Sequence, residues 1–174
     1  MRSASLTKIS RLCYILFAGR ENRSVPLPDL SLGGENVETR IRALTASFAS
    51  NPDGQLWKFT YLNDAKITLV QVLGEITAPT WRRLLADSIE QAHKQPCDRY
   101  LVDYRRANVK MSVIDLYNRP KYYAQTKMSH DVRVALVFSE GYQEADFIEA
   151  VTQNRDYQVK VFTASEPAIV WLTQ

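Results

Sequence analysis

The chain has 174 residues, of which 45% are hydrophobic and 24% charged, enough for one well-buried core and too few for two ordinary domains. Its formal charge of +3 resides in residues 1–34, where Arg2, Lys8, Arg11, Arg20 and Arg23 face only Glu21 and Asp29, so the remainder is neutral. That balance argues against nucleic-acid binding, which needs a positive field strong enough to displace counterions from phosphates.

No apolar run reaches the roughly 18 residues that a membrane-spanning helix requires. Leu12–Ala18 follows Arg2, Lys8 and Arg11 in the charge order of a secretory signal, but Arg20, Glu21 and Arg23 crowd in without an A-x-A-like cleavage site. The only cysteines, Cys13 and Cys97, offer no disulfide framework. A cytoplasmic protein is expected.

Residues 1–54 carry Pro26, Pro28, Gly33, Gly34, Pro52 and Gly54 without a sustained period, and read as a poorly structured extension. Within it, Val37, Ile41, Leu44 and Phe48 recur at helical spacing and predict a helix over 35–50 that docks on the later domain or frays. Every other periodic element lies in residues 55–174, which are expected to fold alone.

Trp57, Phe59 and Tyr61 alternate with Lys58, Thr60 and Leu62 in the rhythm of a strand. Asn63-Asp64 is a turn, and Ile67–Leu73 a second strand, antiparallel to the first and ended by Gly74. Thr77 caps the next helix and Pro79 lies in its first turn. Trp81, Leu84, Leu85, Ser88, Ile89 and Ala92 share one face of that helix, with Arg82, Arg83, Asp87, Glu90, Gln91 and Lys94 opposite.

Pro96 stops the helix, and Tyr100–Val102 form a short buried strand ending at Asp103. Ser112 and Asp115 make a capping-box-like start for a helix over Val113, Leu116 and Tyr117, which Pro120 must kink or restart. Val132–Phe138 is a buried strand, Gln143–Arg155 a helix and Val159–Phe162 a last strand, after which Ser165 caps a closing helix carrying Ala168, Ile169, Trp171 and Leu172. The order β-β-α-β-α-β-α-β-α predicts an α/β fold with a five-stranded mixed sheet, strands two to five parallel and the first antiparallel at an edge.

This order resembles the STAS fold of anti-sigma-factor antagonists and sulfate-transporter tails. The closer likeness is to the SpoIIAA-like group of bacterial proteins, related in fold to CRAL-TRIO lipid-binding domains. It rests on Ile67–Glu75 before the Thr77 helix, Leu101-Val102-Asp103-Tyr104-Arg105, Arg133–Phe138, and Val159–Phe162 followed by Ala168–Leu172, and it covers residues 55–174. The resemblance implies a single STAS-like domain with a regulatory or interaction role. It also implies that Ser112 stands near the phosphorylatable serine of the antagonists, although the flanking Lys110-Met111-Ser112-Val113-Ile114-Asp115 lacks their Asp-Ser-Ser-Gly-like pattern.

No phosphate loop, nucleophile elbow, dinucleotide fingerprint or H-E-x-x-H motif is present, and His93, His130 and Cys97 fall in no ligand spacing. A non-enzyme without cofactor or metal is expected. Asp103, at the end of its strand, marks the carboxyl edge where open α/β sheets place ligands, and the Tyr104–Met111 connection is expected as a basic loop there. From Arg99 to Arg133 eight basic residues face three acidic ones, whereas Val134–Gln174 has two against six, dominated by Glu144, Asp146 and Glu149.

Asp103, Arg105, Arg106 and Ser112 are therefore the candidate binding residues, with Ser112 also a candidate for phosphorylation and, more plainly, a helix cap. The expected function is a non-catalytic regulatory or interaction domain that binds a protein partner or a small anionic or lipid-like ligand. The alternative is a carrier of a lipid or apolar small molecule.

Overall fold

A computed structural model of the chain describes residues 37–47 and 54–174. The run Leu12–Ala18, Cys13, the charged residues of the first 34 positions and Phe48 lie outside the described residues. A tight turn over residues 63–66, closed by Lys66 at a φ of 53°, reverses the chain between β1 (Trp57–Leu62) and β2 (Ile67–Thr77). The two strands pair antiparallel, from Trp57 opposite Val72 to Leu62 opposite Ile67. β3 (Arg99–Lys110), β4 (Arg133–Val137) and β5 (Gln158–Phe162) then add in parallel, giving five strands in the spatial order β1-β2-β3-β4-β5.

Strands placed in chain order and joined by crossovers of one hand must carry all those crossovers on one face of the sheet. The helices α2 (Ala78–Lys94), α3 (Val113–Tyr117), α4 (Arg119–Gln125) and α5 (Ala145–Gln153) make these connections. Trp81, Leu84, Leu116, Tyr123 and Ile148 from them pack on Val70, Val72, Tyr104 and Leu136 of the sheet. Trp57 adds a tie from β1, its indole N–H donating to Asp87 Oδ2 at 2.9 Å.

The opposite face is covered by α1 (Val37–Ser47), ahead of β1, and by α6 (Ser165–Thr173), after β5. Ile41 of α1, wholly buried, joins Leu62, Ile67, Leu69, Leu101, Ala135, Ala168 and Leu172 in a second core. The helix predicted over 35–50 is thus present over 37–47, and it docks. The Gln71 side-chain amide donates to Leu44 O at 2.9 Å, and Arg40 and Arg42 pair with Asp64 and Glu166. With both faces covered, Ile67–Val72 are all buried, which is why this strand reads as a continuous apolar run.

Two boundaries differ from expectation for one reason. Gly74 does not end β2, because its φ of +69° bends the strand without breaking it, and β2 continues to Thr77. A side chain there would meet Leu56 Cδ2 at 3.1 Å. Residues 104–110 are not a loop but the second half of β3, paired with β2 from Leu73–Arg106 to Thr77–Lys110. Between the Gln71–Asp103 and Leu73–Arg106 pairs β3 carries one extra residue, a bulge that turns Ala107 and Val109 toward the same core as Tyr104.

The helix starts follow local chemistry. Pro79 and Pro120 each sit in a first turn, so Pro120 separates α3 from α4, as a missing N–H and a steric block at residue 119 require. Thr77 occupies the cap of α2, but its hydroxyl meets Thr80 Oγ1 at 3.0 Å and no backbone N–H. Ser112 and Asp115 form the complete capping box. Ser165 is a correction: the cap of α6 is Ala164, and Ser165 is buried in the first turn with its hydroxyl turned to another partner.

Candidate binding cavity

The bulge in β3 sets Arg105 beside Asp103. The guanidinium donates from Nε to Asp103 Oδ1 at 2.9 Å and from Nη2 to Oδ2 at 2.6 Å, and the Arg105 backbone N–H adds a third bond to Oδ1 at 3.1 Å. Arg105 Nη2 also donates to Ser165 Oγ at 3.0 Å, which ties β3 to α6, and Ser139 Oγ donates to Arg105 O at 3.1 Å. Asp103 is 4% exposed and lies within β3, not at its end. Most of its accepting capacity is therefore met inside the fold.

Arg106 and Ser112 are exposed. Ser112 Oγ accepts from the Asp115 backbone N–H at 3.2 Å and donates to Asp115 Oδ2 at 2.6 Å, so the hydroxyl is engaged in its own turn. That hydroxyl, with the Ser112 backbone N–H donating to the same Oδ2 at 3.1 Å, holds the Asp115 carboxyl below its ordinary pKa. The structure thus joins Asp103 to Arg105, while Ser112 belongs to a separate capping cluster. On the acidic side, Glu149 is also occupied: its Oε2 accepts from the Val161 N–H at 2.7 Å, pinning α5 to β5.

A cavity on the first face lies between α2, α4 and strands β3 and β4. Its volume is about 390 Å³, within the range of small-ligand sites, and its walls are mainly Leu84, Leu85, Ile89, Val102, Val134 and Leu136. His93 and Cys97, ahead of β3, and Lys127 and Ser129, ahead of β4, form its rim. The cavity therefore opens toward the amino-terminal ends of these strands, opposite the edge that the topology singled out.

At its closed end stand Trp81, Tyr104, Arg119 and Tyr123, each less than 5% exposed. The Arg119 guanidinium lies over the Trp81 ring, 4.6 Å from its centre, and near the Tyr104 side chain. Burial pushes the Tyr104 phenol up to about 12 despite that cation. Arg119 Nε is buried and has no hydrogen-bond partner among the described residues. The Tyr123 ring meets Trp81 edge-on at 5.8 Å, which fixes the indole under the guanidinium.

Sequence reasoning placed α2's apolar face correctly but missed Arg119. In Asn118-Arg119-Pro120-Lys121 it looks like one more member of a solvated basic stretch. The available signal was its place immediately before a helix-restarting proline, which turns residue 119 inward while Lys121 stays exposed.

No protein-family description and no curated protein matches the chain. Among solved structures it is similar to an uncharacterised protein of the DUF3478 family from Shewanella loihica, described as having a SpoIIAA-like fold. The two are 18% identical with a TM-score of 0.48, over 71% of this chain and 98% of that one. The description carries the SpoIIAA-like name that the sequence pattern resembles, and the likeness concerns the chain path only.

Proposed function

We propose that this domain is a non-catalytic binding module that holds a small, largely apolar molecule in the cavity between α2, α4 and the sheet. The observation that carries the reading is the cavity itself: about 390 Å³, apolar along its walls, with a few polar groups at its two ends. That combination fixes a ligand by area and orients it by a small number of polar contacts. The aromatic cluster at the closed end packs at normal ring distances, so the space lies beside a well-packed core.

Native mass spectrometry of the full chain purified from its own cells tests this. The expected spectrum shows a non-covalent adduct, removed by denaturation and absent from an Ala92→Trp variant that fills the cavity from α2. A bare chain that also fails to take up an apolar, environment-sensitive dye would overturn the reading.

A second reading assigns partner recognition to Asp103, Arg105, Arg106 and Ser112. What favours it is the exposed apolar turn directly after Ser112, where Val113, Ile114 and Tyr117 are 62%, 70% and 53% exposed. A partner that co-purifies with the wild-type chain and not with Ile114→Asp supports it. An unchanged partner set counts against it.

A further inference from the structure

Resting on that cavity-binding reading, we propose that the ligand is an amphipathic monoanion, its carboxylate or similar oxyanion seated on Arg119 at the closed end and its apolar body running toward the rim at His93 and Lys127. Three observations converge on this. Arg119 is a permanent cation only 3% exposed, and no ion pair to it is formed among the described residues. The described residues lining the cavity include no aspartate or glutamate, while Arg119, Lys127 and His93 supply basic groups at both ends. Arg119 Nε lacks a hydrogen-bond partner among those residues, so a donor of this cation remains unmet.

Burying a charge without a counter-charge is among the most unfavourable arrangements in a protein, and removing water leaves it with a strong field. The Trp81 face at 4.6 Å offsets part of that cost, since a ring quadrupole attracts a cation, but it neutralises nothing. An incoming oxyanion would supply both the charge and the acceptor. Tyr104 reinforces the preference. It lines the same end of the cavity, and its phenol, pushed up by burial, keeps a proton to give. Two donors at the closed end suit a single carboxylate, and among the described lining residues no second cation stands there to balance a dianion.

The test compares decanoate, decanol and decylamine on the full chain by displacement of an apolar fluorescent probe, at mildly alkaline pH where the acid is ionised. Decanoate is expected to bind at least about tenfold more tightly than decanol, equivalent to about 1.4 kcal/mol, and decylamine more weakly than either. In Arg119→Met, with folding checked by circular dichroism, the acid loses this advantage and the alcohol keeps its affinity. If Arg119→Met does not fold, the acid-to-alcohol ratio of the wild-type chain decides alone. Equal binding of acid and alcohol overturns the anionic head and leaves the apolar cavity standing. No binding of any probe overturns both.

Discussion

The Arg105 guanidinium holds the buried Asp103 carboxylate in a two-pronged pair, 2.6 Å and 2.9 Å long, and hands the Nη2 on to Ser165 across the sheet face. Exposed arginines are ordinarily worth less than about 0.5 kcal/mol, but this one compensates a carboxylate that is 4% exposed. Arg105→Ala is expected to lose about 3 kcal/mol, because it strands that charge. Asp103→Ala should lose less, since Arg105 can turn to water. Chemical denaturation of both variants and of the double variant checks the order; a neutral Arg105→Ala would show that the pair contributes nothing.

Ser112→Ala removes one half of a capping box and should cost about 1 kcal/mol. Ser112→Asp will restore only part of that. The Asp115 carboxylate lies 2.6 Å from the position a new carboxylate would take, so like charges meet. Phosphate at Ser112 would face the same repulsion. Because Asp115 is held below its ordinary pKa, its contribution is complete above the unfolded value and is lost as pH falls through the folded one. Thermal midpoints measured across the acid range should therefore converge for wild type and Ser112→Ala.

Tyr104 is one of the tyrosines, with Tyr100, whose burial sets the alkaline limit. The Tyr104 phenol titrates near 12 in the folded chain and at about 10 when unfolded, so the folded state holds the extra proton between these values. That stability is present in full below the unfolded value and declines as pH rises toward the folded one. Tyr104→Phe should flatten the decline. Tyrosinate absorbance that titrates entirely at the unfolded value in the native chain would contradict it.

Deleting residues 1–34 and deleting residues 1–54 should differ sharply. The first keeps α1 on the second face; the second removes Ile41, which is wholly buried, and uncovers Leu62, Leu69 and Ala135. Ile41→Ala alone should cost about 3 kcal/mol. If the chain from residue 55 is as stable as the chain from residue 35, the helix is dispensable and an autonomous domain begins at 55.

The alternation of β1, the apolar face of α2, the Ser112 box and the break at Pro120 were legible because each is written in neighbouring residues. The length of β3 was not. Tyr104-Arg105-Arg106-Ala107-Asn108-Val109-Lys110 looks polar because Arg106, Asn108 and Lys110 face water on one side, and a bulge resets the alternation in its middle. The Arg105–Ser165 bond and the Arg119–Trp81 stack join positions far apart in the chain, and no local pattern announces them. The cavity is harder still to read, since its lining comes from helices and strands far apart in the chain.

The spatial sequence of the strands repeats their order along the chain. Each new strand therefore needs only the one before it, and every pairing closes a loop no longer than a turn or a helical crossover. Such short closures are entropically modest and favour rapid assembly. As the chain leaves the ribosome, the sheet can grow from the β1 edge to the β5 edge without waiting for a distant partner. α6 follows all five strands, so before it emerges the second face has, among the described elements, only α1 over Leu62 and Leu69. Nascent chains stalled before residue 165 should bind a hydrophobic dye that released full-length chains exclude.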